Sequence, residues 1–139
     1  MSKHYQIAIL GATYGSLLST KLLLGGHDVT LVGLPEEVEL INREGTQVRI
    51  PVKGQDQLLK IDSQVLSGEL RALSPEAVAA VDYDLIVLAM QEPQYAQASI
   101  RALLEKVAHS ETPCLSIMNM SPLAFLARIP GFPLEACRH

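Results

Sequence analysis

No run of basic residues and no long apolar run occurs in these 139 residues, and only two are cysteine. Eleven Lys and Arg against fifteen Asp and Glu give a formal charge of −4. With the cations scattered, that balance argues against a broad nucleic-acid footprint. The apolar runs are strand-length, well short of the ~20 residues of a membrane span, and the opening MSKHYQ lacks a signal-peptide core. A cytoplasmic protein that meets neither membrane nor nucleic acid is expected. Cys114 and Cys137 make neither a metal spacing nor a disulfide framework, which fits a reducing compartment. The four histidines, His4, His27, His109 and His139, fall at an N-terminus, a helix-to-strand turn, a helix end and a chain end. Those positions suit solvated groups or complements to a helix dipole. No Ser-His-Asp set, carboxylate pair or metal cluster can be assembled, so no metal ligand is expected. Internal repeats, low-complexity segments and linkers are also missing.

What is present is apolar and periodic. A 48% apolar content with 19% charged residues fits one compact domain with one core. Ile7 to Leu10 is a continuous apolar run, as in a parallel strand covered on both faces. Gly11 breaks it. From Gly15 to Leu24, Leu17, Leu18, Leu22 and Leu23 fall near helical spacing, and Gly25-Gly26 offers a left-handed stop. Asp28 to Val32 resumes as strand, completing a βαβ unit of about thirty residues.

Further on, Pro35 and the acids Glu36 and Glu37 predict a helix that runs to about Arg43 and ends at Gly45. Thr46 to Val52 and Leu58 to Ser63 alternate around Lys53-Gly54-Gln55-Asp56 like a hairpin. Ser74-Pro75-Glu76 reads as the start of a short helix through Ala80. Asp84 to Ala89 is a third buried strand, Pro93 to His109 an amphipathic helix, and Pro113 to Met118 a fourth strand. After it, prolines prevent any long helix. Strands separated by helices select an α/β fold: a Rossmann-like, doubly wound, mainly parallel sheet in three layers. Ile7 to Leu10 is expected at the sheet centre, between Val29 to Val32 and Leu85 to Ala89.

In such a sheet the ligand lies at the carboxyl ends of the strands, where the strand order reverses. That gathers Gly11 to Gly15, Gly33-Leu34, Met90 to Gln94 and Asn119 around one crevice. A dinucleotide fingerprint uses three glycines: for the turn, for close approach of the pyrophosphate, and for helix packing. Gly11 matches the first and Gly15 the third; the middle one is absent, and the turn is one residue shorter. The amides of Thr13 to Ser16 are placed to meet an anion at a helix N-terminus. A tight turn that binds nothing has the same appearance. Glu36 and Glu37 fit either helix-dipole acids or a ribose contact. Gln91, Gln94 and Asn119 can position a ligand but move protons poorly. Asn119 reads equally as an amide bonded to turn backbone.

Several stretches together resemble one family. They are Ile9-Leu10-Gly11-Ala12, Gly15-Ser16-Leu17-Leu18, Gly26 to Gly33, Asp84 to Ala89 with Gln94 following, and Leu115 to Asn119. The chain is similar over nearly its whole length to the N-terminal domain of ketopantoate reductases. The resemblance implies an NADPH-dependent reduction of a 2-oxo acid to a 2-hydroxy acid by hydride transfer. It implies cofactor contacts from Gly11, Ala12, Thr13, Tyr14, Gly15 and Ser16 at the pyrophosphate, and from Leu34 beside the adenosine ribose. Met90, Gln91 and Gln94 would line the crevice, with Asn119 orienting nicotinamide or substrate as the candidate catalytic residue.

Leu34 stands where the family usually has an arginine, Gln91 where it has a cofactor-binding lysine, and Met120 where a glycine follows the asparagine. Two charge-assisted phosphate contacts, each commonly worth ~1.5 to 3 kcal/mol, are thereby lost. Little preference for NADPH over NADH is expected. The family's catalytic lysine and substrate-binding acid belong to a second, helical domain without counterpart here. Residues 1–139 are therefore expected to be a single NAD(P)-binding domain at the start of a longer oxidoreductase, truncated before the last strand and catalytically incomplete alone. The other reading is a nucleotide-sensing or protein-interaction module without chemistry. The apolar tail from Pro122 to His139 is expected either to fold back over the Cys114 to Met118 strand or to drive dimerisation.

Overall fold

The computed structural model describes residues 3–117 together with 124, 126–128, 130–131 and 135. In chain order the elements are β1 (Gln6–Leu10), α1 (Ala12–Leu24), β2 (Asp28–Val32), α2 (Pro35–Glu44), β3 (Gln47–Ile50), β4 (Leu59–Asp62), β5 (Leu70–Leu73), β6 (Leu85–Leu88), α3 (Ala98–Ala108) and β7 (Cys114–Ser116). Five strands form a parallel sheet in the order β5-β2-β1-β6-β7. β3 and β4 make a separate antiparallel hairpin. The expected centre is observed: Ile9 pairs with Leu31 on one side and Val87 on the other.

Alternation along the strands divides the core into two halves. Ala8, Leu10, Ile86 and Leu88 pack with Ile100, Leu103, Leu104 and Val107 of α3. Ile7, Ile9, Leu31 and Val87 pack with Leu23 of α1 and Ile41 of α2. Helices on both faces of a parallel sheet make the three-layered, Rossmann-like α/β fold, and its order reverses between β1 and β6.

Some boundaries depart from the sequence reading. α1 begins at Ala12 rather than Gly15, because Gly11 alone makes the turn. Its buried residues are Gly15, Ser19, Thr20 and Leu23, Leu18 and Leu22 pack half-buried against the same core, and Leu17 is exposed, so small side chains share the sheet-facing side with Leu18, Leu22 and Leu23. It ends in a Schellman pair: the His27 amide donates to the Leu22 carbonyl and the Gly26 amide to that of Leu23, with Gly26 at φ 80°. The third crossover helix starts at Ala98. Before it, Glu92–Ala96 is a 3-10 turn that buries Tyr95. The segment read as a helix to Ala80 is instead two short 3-10 turns, Pro75–Ala77 and Ala80–Asp82.

β5 is the strand that sequence reasoning missed. It is an edge strand held by polar contacts. Asn42 of α2 donates to the Ala72 carbonyl at 2.9 Å and accepts the Ala72 amide at 2.8 Å, standing in for a neighbouring strand. Arg71 Nε donates to Thr30 Oγ1. At the opposite edge, Leu115 of β7 is exposed. Most of the tail lies outside the described residues, but Leu126 is buried in the α3-side core and the Pro130 carbonyl accepts from Arg101.

The amino ends of the strands are tied through Asp28. Its carboxylate accepts the Glu69 amide at 2.8 Å, the Gln6 amide nitrogen at 2.7 Å and His4 Nε2 at 2.9 Å. The Glu69 bond, reinforced by Gln6 and His4, holds the Asp28 carboxyl below its ordinary value of 3.8. The Asp28 bond, aided by the Gly26 carbonyl, raises His4 above its ordinary 6.5. Asp28 contributes stability above its unfolded pKa and loses it as pH falls through the lowered value. His4 contributes below its unfolded pKa and loses it as pH rises through the raised value. The pair is therefore at full strength between those two ordinary values. Asp28→Asn keeps an acceptor for Glu69 but removes the charge, so its Tm deficit should be largest at about pH 5 and shrink on both sides. A deficit independent of pH contradicts this reading.

Candidate functional site

The carboxyl ends of β1, β2 and β6 meet at Gly11. Its amide donates to the Val32 carbonyl at 3.0 Å, and the Ala89 amide donates to the Leu10 carbonyl at 2.9 Å. Gly11 has φ 108°, and a Cβ there would drive into the Ala89 carbonyl. Backbone conformation and close approach thus both require glycine at this point. Gly15 is different: its φ is unremarkable, but a Cβ would stand 2.5 Å from Ile9 Cγ2. Its role is to let α1 lie close on β1.

Because α1 starts at once, its first three amides, those of Ala12, Thr13 and Tyr14, have no carbonyl one turn back. They open into a cleft of about 340 Å³, within the range of small-molecule sites. The positive end of the helix dipole and three unclaimed donors favour an anion there. The sequence reading placed these donors at Thr13 to Ser16. In the structure the Gly15 amide donates to the Gly11 carbonyl, and the Ser16 hydroxyl donates to the Thr13 carbonyl. Gly15 and Ser16 line no part of the cleft, whose anion-facing donors lie one to two residues earlier.

The other expected residues that can be placed do line it: Gly11, Ala12, Thr13, Tyr14, Leu34, Met90, Gln91 and Gln94. Met90 is fixed from beneath, since its amide donates to the Tyr95 hydroxyl at 3.0 Å. Burial pushes that hydroxyl's pKa up to about 12, so it remains protonated at neutral pH. Gln91 Nε2 donates to the Tyr14 hydroxyl at 2.6 Å, joining the β6 loop to the start of α1. Gln94 accepts the Gln91 amide at 2.8 Å, a local turn contact. Asn119 lies outside the described residues.

The structure adds residues that sequence reasoning did not gather. Ser74, Pro75 and Glu76 arrive from the end of β5, and Gln97 and Ser99 from the start of α3. Tyr95 supports the floor. For Ser74, Pro75 and Glu76 the signal was β5 itself: once that strand is recognised, its carboxyl end must reach the same crevice. Of the two acids opening α2, Glu37 lines the cleft and Glu36 does not. Among the described residues, no cluster of His, Cys, Asp and Glu is arranged to hold a metal ion, and no helix is long and apolar enough to cross a membrane.

A family model described as ketopantoate reductase PanE/ApbA matches residues 7–120. The chain belongs to the ketopantoate reductase family, a family of NAD(P)-dependent oxidoreductases. Two solved structures share the fold. A candidate 2-dehydropantoate 2-reductase from Enterococcus faecalis is 21% identical with a TM-score of 0.55, the alignment covering 89% of this chain and 37% of that one. A candidate ketopantoate reductase from Ralstonia solanacearum MolK2 is 22% identical with a TM-score of 0.62, covering 91% and 35%. The chain thus spans little more than a third of the length of either. No curated protein matches. In this ketopantoate reductase domain the three-glycine turn is reduced to two: Gly11 serves the turn and the backbone contact, Gly15 the helix packing.

Those roles predict different costs. Gly15→Ala forces a methyl against Ile9 and should lose ~1–3 kcal/mol in urea unfolding. Ser16→Ala, one residue on, should stay within ~0.5 kcal/mol of the parent. Equal losses for the two contradict the packing role of Gly15.

Proposed function

We propose that residues 1–139 form the dinucleotide-binding domain of a longer ketopantoate-reductase-like enzyme that reduces a 2-oxo acid to a 2-hydroxy acid. The observation that carries this reading is the Gly11 turn, which opens three helix-terminal amides into a cleft at the switch point of a parallel sheet. The site fits a dinucleotide in its phosphate-facing half. Ala12, Thr13 and Tyr14 would take the pyrophosphate, Leu34 would flank the adenosine ribose, and Met90 and Gln91 would border the nicotinamide half. Asn119 would orient nicotinamide or substrate. A reduced dihydronicotinamide held there would supply the hydride.

The residues of this chain bind and orient rather than transfer protons. Gln91, Tyr14 and Gln94 form a neutral hydrogen-bonded rim. Met90 presents an apolar surface, anchored by Tyr95, that excludes water from that side. The group that protonates the forming alkoxide would come from residues beyond this chain, as would the rest of the substrate site. The share of its structural neighbours that the chain spans supports that division.

Thr13 is exposed at the second helical position, where a carboxylate complements the helix dipole but competes with a bound anion. Thr13→Asp should therefore hold or raise the Tm while weakening ADP-ribose binding at least tenfold by calorimetry. ADP-ribose bound equally well by the parent and by Thr13→Asp contradicts the proposed pyrophosphate position. Failure of the parent to bind ADP-ribose, NADH and NADPH contradicts the function itself.

A further inference from the structure

At the carboxyl end of β2, Glu37 folds back over the strand instead of pointing into solvent. Its Oε2 accepts the Leu34 amide at 2.9 Å. A Cβ on Gly33 would stand 2.6 Å from the same oxygen, so the absence of a side chain there is what lets the carboxylate lie down. Glu37 is half-buried and lines the cleft, whereas Glu36 beside it is exposed and does not. The Leu34 amide opens α2 and is a donor that an incoming anion could use. The protein's own carboxylate already occupies it.

The charge around this point is one-sided. A second carboxylate, Glu76, lines the cleft from the end of β5. Among the described lining residues there is no Lys, Arg or His. An acid at the end of the second strand is placed to bond a ribose hydroxyl, while a ribose phosphate needs a cation there. Helix capping accounts for the Leu34 bond but not for a carboxylate that faces the cleft with no cation among its described lining.

We propose that Glu37 is a specificity-determining residue that rejects a phosphorylated adenosine ribose, so that the site takes NADH in preference to NADPH. This rests on the dinucleotide reading of the cleft. It goes further than the loss of phosphate-binding cations, which would leave the two cofactors nearly equal. With Glu37 present, the extra phosphate meets a like charge and finds its nearest backbone donor taken.

The test is calorimetric titration of the 139-residue chain and of Glu37→Gln with NADH, NADPH and ADP-ribose at low salt. Glutamine keeps an oxygen to accept the Leu34 amide, so the variant should fold with an unchanged Tm. The parent should bind NADH about tenfold more tightly than NADPH, a preference that narrows as salt is added. In Glu37→Gln the ratio should fall to within about threefold, chiefly through a gain for NADPH. Two results overturn the role of Glu37 while leaving the dinucleotide site standing: NADPH bound by the parent as tightly as NADH, or an NADH preference unchanged in Glu37→Gln. Binding of none of the three ligands overturns both.

Discussion

The approach of Gly11 to the Ala89 carbonyl is the constraint on which the site depends. It is a contact between two backbones, and any side chain at residue 11 would abolish it. Because the chain turns there with a single residue, β1 can bond β2 through Gly11 and β6 through Leu10 in the same layer where α1 begins. The three free amides at the start of α1 are therefore fixed by the most buried part of the sheet, not by a loop. Ile9 and Leu10 beside the turn are completely buried. Positional accuracy at the start of α1 is thus a by-product of core packing.

Around that fixed end the cleft wall is built from weaker devices. Tyr95 holds the Met90 amide, Gln91 reaches Tyr14, and Asn42 secures the edge strand whose end supplies Ser74 and Glu76. Each is a neutral hydrogen bond, worth about 1 kcal/mol when made and more when a buried group is left unpaired. The charged residues among the described lining of the cleft, Glu37 and Glu76, are negative. On the proposed dinucleotide reading, a dipolar anion position at one end and carboxylates at the other would sort ligands by where their charge lies.

The central strands were legible because a parallel strand covered on both faces must be largely apolar, as Ile7 to Leu10 and Leu85 to Leu88 are throughout and Val29 to Val32 is apart from the buried Thr30. The hairpin was legible from its alternation and from Gly54, which takes φ 85° in the turn. β5 was not, because Leu70-Arg71-Ala72-Leu73 is only four residues long and Arg71 interrupts its apolar run. It is a strand because it pairs in parallel with β2 on one side and Asn42 bonds its backbone on the other. The face of α1 was legible in part: leucine spacing marks Leu18, Leu22 and Leu23, which do pack on the core, but not Gly15, Ser19 and Thr20, the small residues that close helix-on-sheet packing selects. The half of the cleft made by β1 and β6 followed from glycine and strand ends. The half made by β5 and the inward turn of Glu37 needed the tertiary structure.

The measurement that bears most directly on this account is a two-dimensional amide spectrum of the isotopically labelled chain, recorded while inorganic pyrophosphate and then ADP-ribose are added. The account predicts that pyrophosphate shifts the backbone amides of Ala12, Thr13 and Tyr14 first and most. ADP-ribose should extend the same set toward Gly33 and Leu34. Shifts centred away from the start of α1, with those three amides unmoved by either ligand, would contradict it.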